Sequence, residues 1–508
     1  MTPLAARAAL LLVFAAGAAG AGTLAVVGSE PPANAGRIAP WNAVTVHFDR
    51  AVAPASVTHA NFRVWGHWSG PVAGALSLVD AGTAVRFRPS RRFSAGETVF
   101  VNLSHDLQAV DGSPLRAAGY AFQFNVDTAP SNRVFSDAQR IPVRTPPGTV
   151  TTTYGGQASD LDQDGWRDFL VVNEQTADLR VMMNRDDGSG LFEQVSTPTT
   201  PIGAGASPNE PGDFDDDGLP DAAVANAAEG SVSIVLGHGD GTFGAEQVIA
   251  IGAGPNGLAV LDIDGDADLD VVVASGGGNK LYRLLNNGAG VFGAATQFEG
   301  GGNGEYALAS GDLNGDGITD LALGTQFDSQ AHVLLGNGDG TFTHFSNRSA
   351  GGATWMAAVG DANGDRKLDV VFANGSSSNG GFLAGNGDGT LAAVVTKATS
   401  GSAVATDLGD LDGDGDLDWV VSSYGGGRWH VFVNGGTGTF SEDPQIFATN
   451  AASCATLFDP DNDHDLDMAL VDEVADEVQI RILANDPQLL FADRFEAGDA
   501  TAWSAVVP

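Results

Sequence analysis

Beyond residue 150 the apolar positions fall in short runs that recur in a fixed order. Each period opens on a segment of small residues (ALASG, 307–311), crosses an acid-rich stretch, and leaves it in an unbroken apolar run: FLVV at 169–172, VVVA at 271–274, WVVS at 419–422. A third run follows (VSIVL at 232–236, HVFV at 430–433), then a Gly-rich turn and a polar fourth segment. Runs of this length bounded by Gly and Asp read as strands. The second run lacks polar alternation, so both its faces are expected to be covered. Residues 24–127 differ: short alternating strands (AVTVHF at 43–48, AVRFRP at 84–89, TVFVNL at 98–103) are separated by Gly, Pro and Asp, the pattern of a β-sandwich of about 100 residues.

Two motifs keep the period in phase. Acidic segments begin at Asp160, Asp213, Asp262, Asp312, Asp361, Asp410 and Asp459, spaced by 53, 49, 50, 49, 49 and 49 residues. At an offset of 24 from each start a turn opens at Asn184, Gly237, Asn286, Gly336, Gly385 and Asn434, with Asn485 as the approximate seventh. A four-stranded unit cannot hide its own faces, so the units must stack, and seven is within the range of closed propellers. Repeat seven runs out near Leu483, while VFSDAQRIPV at 134–143 matches fourth strands such as TFGAEQVIAI at 242–251. That early segment is expected to complete blade seven and remove an open edge. The predicted fold is all-β, a seven-bladed β-propeller over 130–488 preceded by a β-sandwich over 22–129, with a signal peptide at 1–21 and a tail at 489–508.

Charge adds a constraint. The 508 residues carry 63 Asp and Glu against 24 Lys and Arg, a net charge of −39, which argues against nucleic acid or an anionic membrane as partner. Residues 22–127 are close to neutral, with seven acids and eight Arg, whereas residues 128–508 hold 56 acids and 15 bases. Something should neutralise those carboxylates. The N-terminus, with Arg7, an apolar stretch from Ala8 to Ala16 and small residues thereafter, reads as a secretory signal. No later segment is apolar enough to span a bilayer. The lone Cys454 cannot form an internal disulfide and is expected to be a buried thiol.

The acidic segments share the pattern D-x-[DN]-x-D-x-x-x-D. The candidate ligand sets are Asp160, Asp162, Asp164 and Asp168; Asp213, Asp215, Asp217 and Asp221; Asp262, Asp264, Asp266 and Asp270; Asp312, Asn314, Asp316 and Asp320; Asp361, Asn363, Asp365 and Asp369; Asp410, Asp412, Asp414 and Asp418; and Asp459, Asp461, Asp463 and Asp467. Alternating oxygens on a tight loop suit calcium, which takes six to eight hard ligands at flexible geometry; zinc would require His or Cys. A helix-loop-helix calcium site needs Glu at position 12, but here Val171, Val224, Val273, Leu323, Phe372, Val421 and Leu470 stand there, so a strand follows. The plainer reading, acidic surface turns, leaves crowded carboxylates repelling one another without a cation. Position 6 is Gly in four loops but Ala267, Arg366 and His464 in the others, and loop five, with Arg366 and Asn363, is the weakest candidate.

These in-phase loops resemble the FG-GAP/VCBS repeat family over residues 134–485, the propeller type of integrin α-subunit heads, some fungal lectins and many bacterial surface proteins. The resemblance implies up to seven structural calcium ions with the position-9 Asp closing each site. The first domain, with SEPPANAG, FDRAVAPASV and LQAVDGSPL, resembles the bacterial Ig-like domain of surface proteins, and the tail FADRFEAGDATAW (491–503) a C-terminal segment of secreted proteobacterial proteins. Strand parity puts the acidic loops and Gly-rich turns at one end of the ring. The other end receives Tyr154, Tyr306 and Trp355, six residues before their loops, and Phe327, Tyr424 and Trp429 from strand 2–3 connections. Tyr154, Tyr306, Trp355, Tyr424 and Trp429 are the candidate ligand-binding residues, packing at blade junctions being the alternative. The expected function is a secreted or cell-surface calcium-binding scaffold that adheres to an extracellular glycan or protein and does not catalyse. A lyase-like enzyme acting on polysaccharide and a purely structural surface protein are the other readings.

Overall fold

A computed structural model describes residues 22–252, 254–443 and 446–483. The expected signal peptide, the last residues assigned to the propeller and the tail lie outside the described residues. Strands joined by turns and three short 3-10 segments make up the described chain, which holds no α-helix.

The first domain is a sandwich of two sheets. One sheet is built around Val44–Phe48 and Ala84–Pro89, the other around Phe62–Gly66, Thr98–Leu103 and Tyr120–Val126. The three strands read from alternation therefore form, and their inward residues Val44, Val46, Val85, Phe87, Val99 and Val101 make one core.

Seven four-stranded antiparallel units follow, the sixth with an additional short strand. In every unit the second strand, from Asp168–Asn173 to Asp467–Asp472, is buried at all six positions. The reason is visible in blade one: Val171 faces the core shared with blade seven, and Leu170 and Val172 face the core shared with blade two. Seven apolar clusters, one per junction between neighbouring blades, run round the ring. Phe135–Pro142 pairs antiparallel with Glu477–Leu483, so the segment ahead of blade one supplies the fourth strand of blade seven. The ring is closed by strand pairing, and Ile141 and Val143 seal it in the core between blades seven and one.

Candidate functional site

Each acidic loop joins the first and second strands of a blade, and two side chains organise it. The first Asp accepts the N–H of position 6 in all seven loops: Gly165, Gly218, Ala267, Gly317, Arg366, Gly415 and His464 donate at 2.6–3.3 Å. That turn requires a positive φ, and Ala267, Arg366 and His464 adopt 73°, 63° and 78°, a strained conformation for residues with a Cβ.

The position-9 Asp has a task the motif did not disclose. Its Oδ1 accepts the backbone N–H found 24 residues after the loop start, that of Asn184, Gly237, Asn286, Gly336, Gly385, Asn434 and Leu483. The two motifs are in phase because a carboxylate ties the acidic loop to the end of the third strand. In blade seven the partner is Leu483, and the expected Asn485 lies outside the described residues. The other oxygen accepts the N–H of position 2 at 2.7–3.1 Å in loops one to six. Loop seven has Pro460 there, which carries no N–H, and Asp467 Oδ2 is buried without a partner.

Several loop oxygens fit a cation. Asp213 Oδ1, Asp264 Oδ1, Asp410 Oδ1 and Asp463 Oδ2 are buried with no hydrogen-bond donor, a costly state for a carboxylate. In loops one, two, three, six and seven, three carboxylates each bring an oxygen to within 4.8 Å of the others. Burial pushes the position-9 carboxyls up, to about 8 at Asp168, Asp221, Asp320 and Asp418 and about 7 at Asp369, against the pull of their N–H donors. Asp270 and Asp467 are raised as well. A bound divalent ion supplies the positive charge that keeps such groups ionised. Loops two, three, six and seven meet this test best. In loop five Asn363 Nδ2 instead donates to Asp369 Oδ1. In loop one Asp160 already faces two guanidinium groups, Arg91 and the buried Arg167.

Arg91 belongs to the sandwich domain, which sits on the loop end of the ring and touches every acidic loop. Arg63 pairs with Asp216 of loop two and Asp268 of loop three. His105 N donates to Gly265 O, Arg116 to Asp316 O and Asn34 to Arg366 O. Thr128 Oγ1 donates to Asp410, Arg37 to Asp414 O, and Ala129 N to His464 O. Trp65, 8% exposed, stacks on Phe100 at 4.7 Å and enters the core between blades two and three. Five of the eight arginines of this near-neutral domain, Arg37, Arg63, Arg91, Arg92 and Arg116, are thus set against the acidic loops.

A family model described as an FG-GAP-like repeat matches six overlapping stretches that together run from residue 160 to 470, and one described as a bacterial Ig-like domain matches 21–126. The chain belongs to the FG-GAP-like repeat family. No curated protein matches it. Among solved structures the FG-GAP-like ring is similar to virginiamycin B lyase of Staphylococcus aureus (13% identity, 68% of this chain and 99% of that one, TM-score 0.47). It is also similar to an Agrocybe aegerita lectin specific for non-reducing terminal N-acetylglucosamine (17%, 81% and 100%, TM-score 0.44). A third is the periplasmic gluconolactonase of Pseudomonas aeruginosa (16%, 77% and 98%, TM-score 0.44).

At the opposite end of the FG-GAP-like ring stand the second residues of the first strands, of which Tyr154, Tyr306 and Trp355 are half-buried and Ser207, Val404 and Ser453 buried. Tyr306 and Trp355 meet with ring centroids 5.0 Å apart. Burial pushes the Tyr154 phenol up, with Tyr306, Glu473 and Glu174 adding to the shift, and Tyr424 Oη donates to Glu473 Oε1 at 3.3 Å. All four aromatics are half-buried, and Phe327 beside them is 71% exposed. Trp429 departs from the expectation. It is the second residue of the third strand Arg428–Asn434, fully buried between blades six and seven, with Nε1 donating to Cys454 O, and is not presented to a ligand. The acids Glu174 and Glu473 went unread in the sequence; their signal is shared position, each directly following the last residue of a second strand. Burial raises the carboxyls of both. Further down the axis, burial and the charge of Asp407 push Glu210 up to about 8, and burial pushes Asp407 up to about 7. Cys454 is buried, and burial pushes its thiol up to about 11.

Proposed function

We propose that this protein is a secreted or cell-surface binding module: a calcium-organised ring that presents its axial mouth to an extracellular glycan or protein. The observation that carries this reading is the seating of the Ig-like domain on all seven acidic loops, which assigns the loop end to internal assembly and leaves the aromatic end free. Aromatic side chains with polar neighbours in a recess suit stacking on sugars or anchoring a protein partner. In this reading the calcium is structural. It neutralises the loops and holds the surface against which the Ig-like domain docks. The acidic surface, with a net charge of −39, excludes nucleic acid on electrostatic grounds. Among the described residues no helix is long and apolar enough to cross a membrane. A glycan array probed with the calcium-loaded protein tests the proposal. Binding to a defined glycan set, lost in Trp355→Ala and retained in Phe345→Ala, an exposed residue on the fourth strand of blade four, is expected. Binding unchanged by Trp355→Ala and Tyr306→Ala would place the ligand elsewhere.

A further inference from the structure

The connection between blades five and six brings three side chains from separate segments together. Ser400 Oγ lies 3.1 Å from His430 Nε2, and His430 Nδ1 lies 2.7 Å from Glu442 Oε1. The Ser400 N–H donates to Nε2 at 3.0 Å. That nitrogen therefore carries the lone pair, and the ring proton sits on Nδ1, facing the carboxylate. Ser400 is exposed, whereas His430 is 2% exposed, held on the third strand of blade six. Ser400 Oγ also donates to Ser423 Oγ at 3.1 Å, so the hydroxyl turns from Ser423 to Nε2, at the same 3.1 Å, before its proton passes to the base. A Cβ on Gly426 would fall 2.0 Å from the Ser400 hydroxyl, so the glycine run 425–427 crosses the hydroxyl without a side chain. Tyr424 N donates to Ser402 O, which fixes the group beside the aromatic mouth, on the free end of the ring.

The fold uses these positions for anchorage elsewhere. In blade two Gly203 N donates to Ser233 Oγ and Ser233 Oγ to Glu246. In blade four His332 pairs with His344 at 2.9 Å, and Gly302 faces its ring. Among the described residues only blade six places a hydroxyl, an imidazole and a carboxylate on the three equivalent positions. Anchorage needs an N–H and an acceptor; it does not need the serine hydroxyl on the same imidazole nitrogen.

We infer that Ser400, His430 and Glu442 form a nucleophile, base and positioning carboxylate that hydrolyse carboxylic esters. The geometry is that of activated serine chemistry: nucleophile within reach of the base, base within reach of a third group that fixes its tautomer. Ser400 Oγ bonds to the acyl carbon as its proton passes to His430 Nε2. The carbon–oxygen bond to the alcohol breaks, and the departing oxygen takes that proton. Water then attacks the acyl-serine, gives its proton to Nε2, and Ser400 Oγ leaves with it, releasing the carboxylic acid. Glu442 stabilises the imidazolium formed in each half.

The test uses the calcium-loaded full chain with a fluorophosphonate probe and p-nitrophenyl acetate. One adduct per chain, mapped to Ser400 by peptide mass spectrometry, is expected. Ser400→Ala, an exposed substitution, should remove the adduct and lower the ester hydrolysis rate about a hundredfold or more at an unchanged melting temperature. Glu442→Gln should lower kcat with KM unchanged, a split that a merely structural carboxylate would not give. No adduct at Ser400 in protein of native circular dichroism, or hydrolysis equal in wild type and Ser400→Ala, overturns the assignment. Glycan binding at the axial mouth is read separately and is unaffected by either result.

Discussion

Replacing Asp320 with Ala isolates the strap that links each acidic loop to its third strand. Asp320 is fully buried, and its two oxygens accept the N–H groups of Leu313 at 3.0 Å and Gly336 at 2.9 Å. A hydrogen bond to a charged group contributes about 1.5–3 kcal/mol, and its loss leaves a buried N–H without a partner, so the pair should be worth about 3–6 kcal/mol. For a ring of about 350 residues the unfolding entropy is about 0.7 kcal/mol/K, which converts that loss to a fall of about 4–8 °C in Tm. The control is Asp316→Ala in the same loop. Asp316 is exposed and its side chain meets only Ile318 N and Asn314 Nδ2 within the loop, so its removal should cost about 0.5 kcal/mol in the absence of metal. Calorimetry of both variants in EDTA and in excess calcium separates the two roles. Asp320→Ala should melt well below wild type in both buffers, and Asp316→Ala only in calcium, through weaker binding. If Asp320→Ala in calcium melts within about a degree of wild type, the position-9 carboxylate is a metal ligand without a strap, and the account of the 24-residue offset is wrong.

Three further outcomes follow from particular contacts. Pro460→Ala supplies the missing N–H to Asp467 Oδ2 and should raise Tm by a few degrees in EDTA while changing it little in calcium, as read by calorimetry. Arg91→Gln removes one of the two guanidinium groups on the fully buried Asp160; the variant should lose about 2–3 kcal/mol in EDTA and gain more from added calcium than wild type does, and an equal calcium response would count against a built-in cation in loop one. Glu210 and Asp407, raised to about 8 and about 7, lie above an unfolded carboxyl near 4. The folded state therefore binds more protons than the unfolded one, and stability falls as pH rises from about 4 through 8. The double variant Glu210→Gln, Asp407→Asn should melt higher than wild type near pH 9 and equally near pH 4, and a lower melting point near pH 9 would contradict that sign.

The sequence by itself determined the ring. Seven in-phase units, unbroken apolar second strands and a fourth-strand look-alike ahead of the first unit dictated blade number and closure, because both faces of a blade must be covered and a sheet edge must be paired. It also determined the backbone strain at Ala267, Arg366 and His464, since the turn around the first Asp is local. What needed the tertiary structure is everything that depends on which segments meet. Trp429 carries the composition of a ligand aromatic, yet a shift of a few residues between connection and strand sends it into the core. The arginines of the first domain read as a charge balance, and only docking shows that five of them, Arg37, Arg63, Arg91, Arg92 and Arg116, stand against the acidic loops. The position-9 strap was written in the sequence as an offset without a cause, and Ser400, His430 and Glu442 lie in three segments brought together by strand pairing and by the path of the connection between blades five and six. Local turns and periodic burial obey short-range rules that a linear chain displays; contacts between distant segments are fixed by how the blades and the docked domain pack.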